Sequence, residues 1–261
     1  MLDFQQIKAQ YPPALQNYER GILREYLQHK ILQGIFESKL ASRVSFMGGT
    51  ALRILYGNNR FSEDIDLDNF GLSWAEFEVL VENVKRFLSL EGFEVEVTKV
   101  EKAAYHCNIR FPHILFEQGI SPLEQEKILI QVDTWGQGYD YQPEARILNK
   151  FDVFTAIRAT PLPILLSQKI YAAVNRKRPK GRDFYDITFL LARTKPDYGY
   201  LGQMLGAGTA EAIREKMSER LAGMDMNSLA DDVAPFLISE GDRKRVSLFK
   251  AFWEQVDLEW D

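Results

Sequence analysis

The sequence predicts an α+β protein, with a mixed sheet and its helices in the first part of the chain and a helical region in the rest. Short apolar or alternating runs recur at 44–47, 65–67, 93–100, 103–111, 127–135 and 153–159, the pattern of strands. Stretches with apolar side chains three or four residues apart lie between them, the pattern of helices. Pro161 and Pro163 then punctuate the chain, and beyond them the spacing is helical to the end. The boundary is placed there, giving domains 1–160 and 161–261.

Composition allows this and narrows the function. A chain of 261 residues holds one large or two small domains, and 46% hydrophobic residues with 17 Phe, 11 Tyr and 4 Trp supply real cores. A net charge of −5 excludes a basic nucleic-acid coat, so any RNA contact must be local. Cys107 is the single cysteine, which excludes an intrachain disulfide and a cysteine-rich zinc site and fits a reducing cytoplasm. The first residues lack a basic and an apolar signal region, and no apolar run reaches the ~18 residues of a membrane span. A cytoplasmic protein with no membrane contact is expected.

The elements follow in order. Residues 14–38 form a helix on the spacing of Leu15, Tyr18, Ile22, Tyr26 and Leu27, weakened locally by Gly21 and Gly34. His29 lies within it as a surface or packing residue with no assigned role. Val44–Met47 is a short strand ending in Gly48-Gly49, and an amphipathic helix runs from Thr50 to about Tyr56. Gly57-Asn58-Asn59 turns the chain into a second strand, Ile65–Leu67. Residues 73–91 are a helix with Glu76, Glu78 and Glu82 on its solvated face. Phe93–Val100 alternates as a half-exposed strand, and Ala103–Phe111 is its partner. His106 and His113 flank that partner without a zinc-ligand pattern. Lys127–Trp135 is apolar on both faces at first, so a central buried strand is expected, carrying Asp133 near its end. Residues 136–150 are turn-rich, and Val153–Ala159 is a further strand. Helices are expected at 162–174, 184–193, 197–206, 209–222, 226–237 and 241–259, the last packing through Phe249, Phe252, Trp253, Val256 and Trp260.

One stretch, Phe46–Asp68, carries chemistry. Adjacent glycines let backbone N–H groups approach a ligand closely, and a helix start adds unpaired N–H groups and a positive dipole end. That is a seat for a polyphosphate. Residues two apart on a strand share a face, so Asp64, Asp66 and Asp68 lie opposite Ile65 and Leu67. Carboxylates so spaced can hold two magnesium ions about 3.5–4 Å apart, as in-line phosphoryl chemistry requires. Ser62 either bonds a phosphate oxygen or serves a turn. Asp133, a charge near the end of an apolar strand, either binds a metal or caps a loop.

The order strand, Gly-Gly, helix, turn, Asp-x-Asp resembles the signature of the DNA polymerase β-like nucleotidyltransferases. More narrowly, Phe-x-Gly-Gly-Thr-Ala-Leu followed by Arg-Phe-Ser-Glu-Asp-Ile-Asp resembles the AbiEii/AbiGii toxins of type IV toxin–antitoxin and abortive-infection systems. The resemblance implies a polymerase β-like nucleotidyltransferase domain followed by a helical domain that completes the active-site cleft. It implies Mg²⁺ on Asp64, Asp66 and a third carboxylate, Asp133. It also implies nucleotide binding by Gly48, Gly49, Thr50 and Ser62, an NTP substrate, a separately encoded antitoxin and, for some members, the 3′ end of tRNA as acceptor.

A second stretch extends the match. Lys169 interrupts an apolar helix and costs free energy there unless its ammonium reaches water or an anion. Arg176 follows on nearly the same face, then a basic run through Arg182, and Asp183 and Asp186 one helical turn apart. Lys169-Ile-Tyr-Ala…Arg176…Arg182-Asp-Phe-Tyr-Asp186 resembles the second signature of the same family. There the lysine is implied to bind nucleotide phosphate, together with Arg176, Arg182 and Asp183, and Asp186 to act in catalysis. One of the two aspartates can instead orient Lys169 or Arg176. The basic run is either a local RNA contact or a solvated turn. Three alternatives stay open: transfer to a protein or small molecule, a nucleotide-binding module without turnover, and a non-catalytic antitoxin.

Overall fold

The computed structural model describes residues 2–259. They divide into two units. The first takes the chain to Leu55, then Phe61–Gly138 and Gln142–Ala159; the second takes Tyr56–Arg60, Tyr139–Tyr141 and the chain from Thr160 onward.

The first unit is a mixed seven-stranded sheet with helices. Its elements are α1 (Phe4–Lys8), α2 (Glu19–Phe36), β1 (Val44–Met47), α3 (Gly48–Tyr56), β2 (Ile65–Asn69), α4 (Trp74–Leu90), β3 (Glu96–Glu101), β4 (Tyr105–Phe111), α5 (Ile114–Glu117), β5 (Ile128–Trp135), β6 (Glu144–Lys150) and β7 (Val153–Ala159). Strand order is β3-β4-β5-β2-β1-β7-β6. β2 runs antiparallel to β1 and parallel to β5, and β1 runs parallel to β7. Phe46, Leu67, Val132, Cys107, Ile109 and Ile157 are buried against α2 and α4, forming one continuous core.

Two expectations for the strands need correction. β5 is not buried on both faces: Ile128, Ile130 and Val132 are buried, while Leu129 is 42% exposed and Gln131 and Asp133 share its open face. Residues 144–150, read as turn-rich, form the edge strand β6, of which only Leu148 is buried. A strand packed through one side chain leaves little alternation to read.

In α2, Glu25, Gln28, His29 and Lys30 are as buried as the apolar residues around them. Each has partners, as burial demands. Glu25 receives Arg53 and Lys150, each at 2.7 Å. Lys30 pairs with Glu91 at 2.7 Å and Asp152 at 3.0 Å. Gln28 donates to the carbonyls of Ser62 and Glu63. His29 is also buried, its Nδ1–H donating to the Glu25 carbonyl at 2.6 Å and its ring edge-on to Phe151. Gly34 lets α4 approach, since a Cβ there would stand 3.0 Å from the Phe87 ring. α4 itself begins at a capping box in which Ser73 and Glu76 bond each other's backbone N–H.

The second unit is helical: α6 (Leu162–Asn175), α7 (Gly181–Leu191), α8 (Tyr198–Leu205), α9 (Ala210–Ala222), α10 (Met226–Val233), α11 (Lys244–Ser247) and α12 (Phe249–Gln255). α10 is shorter than expected: Pro235 has no N–H with which to continue the α-helical bonding, and a 3₁₀ turn, Ala234–Phe236, follows instead. The expected last helix is a 3₁₀ turn at Glu240–Arg243, then α11 and α12, which meet at Leu248 where ψ moves to 8°. Val256 is extended, so it ends the helix rather than packing within it, and Trp260 lies outside the described residues. Phe249 stacks on Trp253 and meets Phe184 edge-on, joining α12 to α7.

Burial lowers the His29 imidazole from its ordinary 6.5 to about 4. The unfolded chain therefore takes up this proton first as pH falls, and folding stability declines from about pH 6.5 to about 4, by roughly 3 kcal/mol. His29→Asn retains a donor for the Glu25 carbonyl without the titration. Its urea-unfolding free energy is expected to fall less steeply across that window.

Candidate active site

The first unit assembles a carboxylate face around the end of β1. Gly48 follows Met47 directly and opens α3 with φ +78°, a conformation that favours glycine. Met47 is the register partner of Asp66, so the turn passes beside that side chain. A Cβ on Gly48 would stand 2.1 Å from Asp66 Oδ2. Both the backbone angle and the carboxylate therefore demand glycine. Thr50, two residues on, is fully buried, and its hydroxyl donates to the Asp64 carbonyl, tying α3 to the start of β2. The Ser62 carbonyl accepts the Gln28 amide at 3.0 Å.

Strand register carries the face across the sheet. Asp66 on β2 is the Cα partner of Asp133 on β5, which is in turn the partner of His106 on β4. Register partners project to the same side, so these three lie in one row, with the buried Ile65, Val132 and Cys107 on the other side. Asp133 Oδ1 accepts His106 Nδ1–H at 2.7 Å. Gln131, two residues earlier and on the same face, donates to both Asp133 oxygens at 2.7 and 2.9 Å. Asp68 is buried and accepts the Gln137 backbone N–H at 3.0 Å, fixing the exit from β5. Carboxylate oxygens are the donors that hard divalent cations prefer, so Asp64, Asp66 and Asp133 fit such an ion in donor chemistry. Among the described residues, no three His, Cys, Asp or Glu side chains are already drawn together as a metal cage.

The sequence does not mark His106 as part of this face. It lies 27 residues from Asp133, and only the β4–β5 register brings the two together. Knowledge of that register would have found it.

Within the second unit, the Lys169 signature forms a buried charge cluster. Lys169 Nζ lies 3.2 Å from Asp183 Oδ1 and 2.9 Å from Asp186 Oδ2. Arg60, 2% exposed, grips Asp186 with Nε and Nη2 at 2.8 and 2.6 Å, and Asn58 adds a bond at 2.8 Å. Arg176 reaches Asp183 Oδ2 at 3.2 Å. Arg182 stands over the Phe236 ring at 4.6 Å, and Lys177, Arg178 and Lys180 are exposed. Burial alone would raise the Asp186 carboxyl, but Arg60 and Lys169 hold it down at about 2. Burial alone would lower the Lys169 ammonium, but Asp186 and Asp183 hold it above the ordinary lysine value. Both are charged at neutral pH. Arg60 and Asn58 were not expected here; they sit 126 and 128 residues before Asp186.

The model of the family described as nucleotidyl transferase AbiEii toxin, type IV toxin–antitoxin system, matches residues 30–254. The chain belongs to this family. It is therefore a nucleotidyltransferase of the AbiEii toxin type, and the family implies an NTP substrate, an antitoxin partner and, in general, a divalent metal. The fold agrees. The crystal structure of JHP933 from Helicobacter pylori matches with a TM-score of 0.56 at 15% identity, covering 91% of this chain and 93% of that one. A second H. pylori structure, described as a candidate nucleotidyltransferase, matches at 0.57 and 16%, covering 91% and 96%. No curated protein matches the sequence. Among the described residues of this AbiEii-family enzyme, no helix is long and apolar enough to cross a membrane.

Removing one member of a buried ion pair leaves the other uncompensated, at a cost of about 3–5 kcal/mol. Asp186→Asn leaves Arg60 and Lys169 facing a neutral amide and is expected to cost that much in urea unfolding at pH 7. Lys169→Gln leaves Asp186 with Arg60 and Asp183 with Arg176, and is expected to cost about 1–2 kcal/mol, nearer an ordinary hydrogen-bond loss. The Asp186 contribution is present above its unfolded value near 3.8 and is lost as pH falls through about 2.

Proposed function

We infer that this enzyme transfers a nucleoside monophosphate from an NTP to an acceptor hydroxyl with release of pyrophosphate, and that this transfer is its toxic activity. The observation that carries the reading is Asp66 and Asp133 in register on adjacent parallel strands, with the glycine turn against Asp66. Asp64, Asp66 and Asp133 would hold Mg²⁺, and Gly48 and Gly49 with the start of α3 would bind phosphate oxygens through backbone N–H groups. Bound there, Mg²⁺ offsets phosphate charge and makes the attacking hydroxyl more acidic. Asp133 would orient that hydroxyl or take its proton.

In the second unit, Arg60, Lys169 and Arg176 gather on two carboxylates, Asp183 and Asp186. That concentration of cations supports a triphosphate ligand for Lys169 and Arg176, with Asp183 and Asp186 orienting them. The exposed Lys177, Arg178 and Lys180, on a protein of net charge −5, support an RNA acceptor such as the 3′ end of tRNA.

The test incubates the purified protein with Mg²⁺, total tRNA and each labelled NTP in turn. One NTP is expected to label tRNA, and Asp66→Asn to reduce the rate at least about 100-fold, given the several kcal/mol a metal site supplies. Label on protein or a small molecule would move the acceptor. No Mg²⁺-dependent NTP binding or transfer would overturn the assignment of the carboxylate face.

A further inference from the structure

We propose that His106 and Gln131 are positioning residues that hold the Asp133 carboxylate in one orientation on the open face of the sheet. The inference rests on the assignment of Asp133 as the third carboxylate of the site.

Three observations carry it. From the neighbouring strand, at the direct register position, His106 on β4 addresses Asp133 side chain to side chain. A second donor comes along its own strand, the Gln131 amide, which bridges both oxygens. An aspartate side chain has two rotatable bonds, and donors from two directions fix both of them. The pair is only half-buried, with His106 and Asp133 side chains 29% and 20% exposed, so it is not a desolvated ion pair on which the core depends. Its measurable effect is therefore expected in the orientation of the carboxylate rather than in folding.

The chemistry sets the tautomer. A carboxylate offers only acceptors, so the ring nitrogen at 2.7 Å is the donor, Nδ1–H. Outer partners of this kind orient ligands around metals, and their loss typically weakens metal affinity or activity about 10–100-fold. The geometry also names its own conservative replacement. In asparagine, Nδ2 is bonded to Cγ as Nδ1 is in histidine, so His106→Asn keeps a donor in place. Glutamine carries its amide one atom further out and does not.

The experiment is a Mn²⁺ titration of the full-length chain followed by electron paramagnetic resonance, with a thermal melt of each variant. His106→Ala and Gln131→Met are each expected to weaken Mn²⁺ about 10-fold with unchanged melting, as loss of an outer partner does. His106→Asn is expected to stay within about threefold of wild type, and His106→Gln to resemble His106→Ala. In the label-transfer assay His106→Ala should lower kcat and leave KM for the NTP unchanged. Wild-type Mn²⁺ affinity in His106→Ala, or an asparagine variant no better than alanine, would overturn the clamp. A separate outcome addresses the assignment beneath it. If Asp133→Asn binds Mn²⁺ like wild type, or the wild type binds none, Asp133 is not a metal ligand and the clamp falls with it.

Discussion

The register of β2 between β1 and β5 is the constraint on which the first unit depends. Side chains on a strand alternate with a period of two, so a slip of one residue would turn Asp66 into the core and Leu67 out of it. Three features oppose that slip. Ile65 and Leu67 are fully buried on one side. Thr50 ties the start of β2 to α3, and Asp68 ties its far end to the backbone at Gln137. The glycine turn suits the same pairing, since a side chain at 48 would clash with Asp66 where it stands. Packing and site geometry thus rest on the same pairing.

Buried charge is handled alike in both units. Glu25 in α2 and Asp186 in α7 are each surrounded by two cations, and each is held at about 2 although burial pushes the other way. Attraction outweighs desolvation where hydrogen bonds satisfy the carboxylate oxygens, as Arg53 and Lys150 do for Glu25 and Arg60 and Lys169 do for Asp186. For Asp186 this matters in reading variants. Loss of activity there reports on folding as well as on chemistry, and only a melt measured in parallel separates them.

Legibility in the sequence followed the range of the interaction. The β1–α3–β2 unit was readable because its glycine pair, short helix and alternating acids lie within one local stretch. The α6–α7 signature was readable because an isolated lysine in an apolar helix signals a partner, and Asp183 and Asp186 follow within a few turns. Pro235 marks the end of α10, inside the stretch whose spacing predicts a helix over 226–237. β6 was not readable because a strand at the sheet edge, with Leu148 alone buried, has almost no hydrophobic period. His106 and Arg60 were not readable because their partners are fixed by tertiary register 27 and 126 residues away. Composition carries no trace of such pairings.

The membership of Tyr56–Arg60 in the second unit has a consequence for modularity. Arg60 and Asn58 supply three of the hydrogen bonds on Asp186, yet they are encoded between α3 and β2. The helical unit is therefore not a cassette. A gene fragment beginning at Thr160 would lack the guanidinium that neutralises its most buried acid. Recombination that exchanged this segment between relatives would have to carry the short Asn58–Arg60 insert with it, or import a different base for Asp186. The two stretches are joined through Asp186, although more than a hundred residues separate them in the chain.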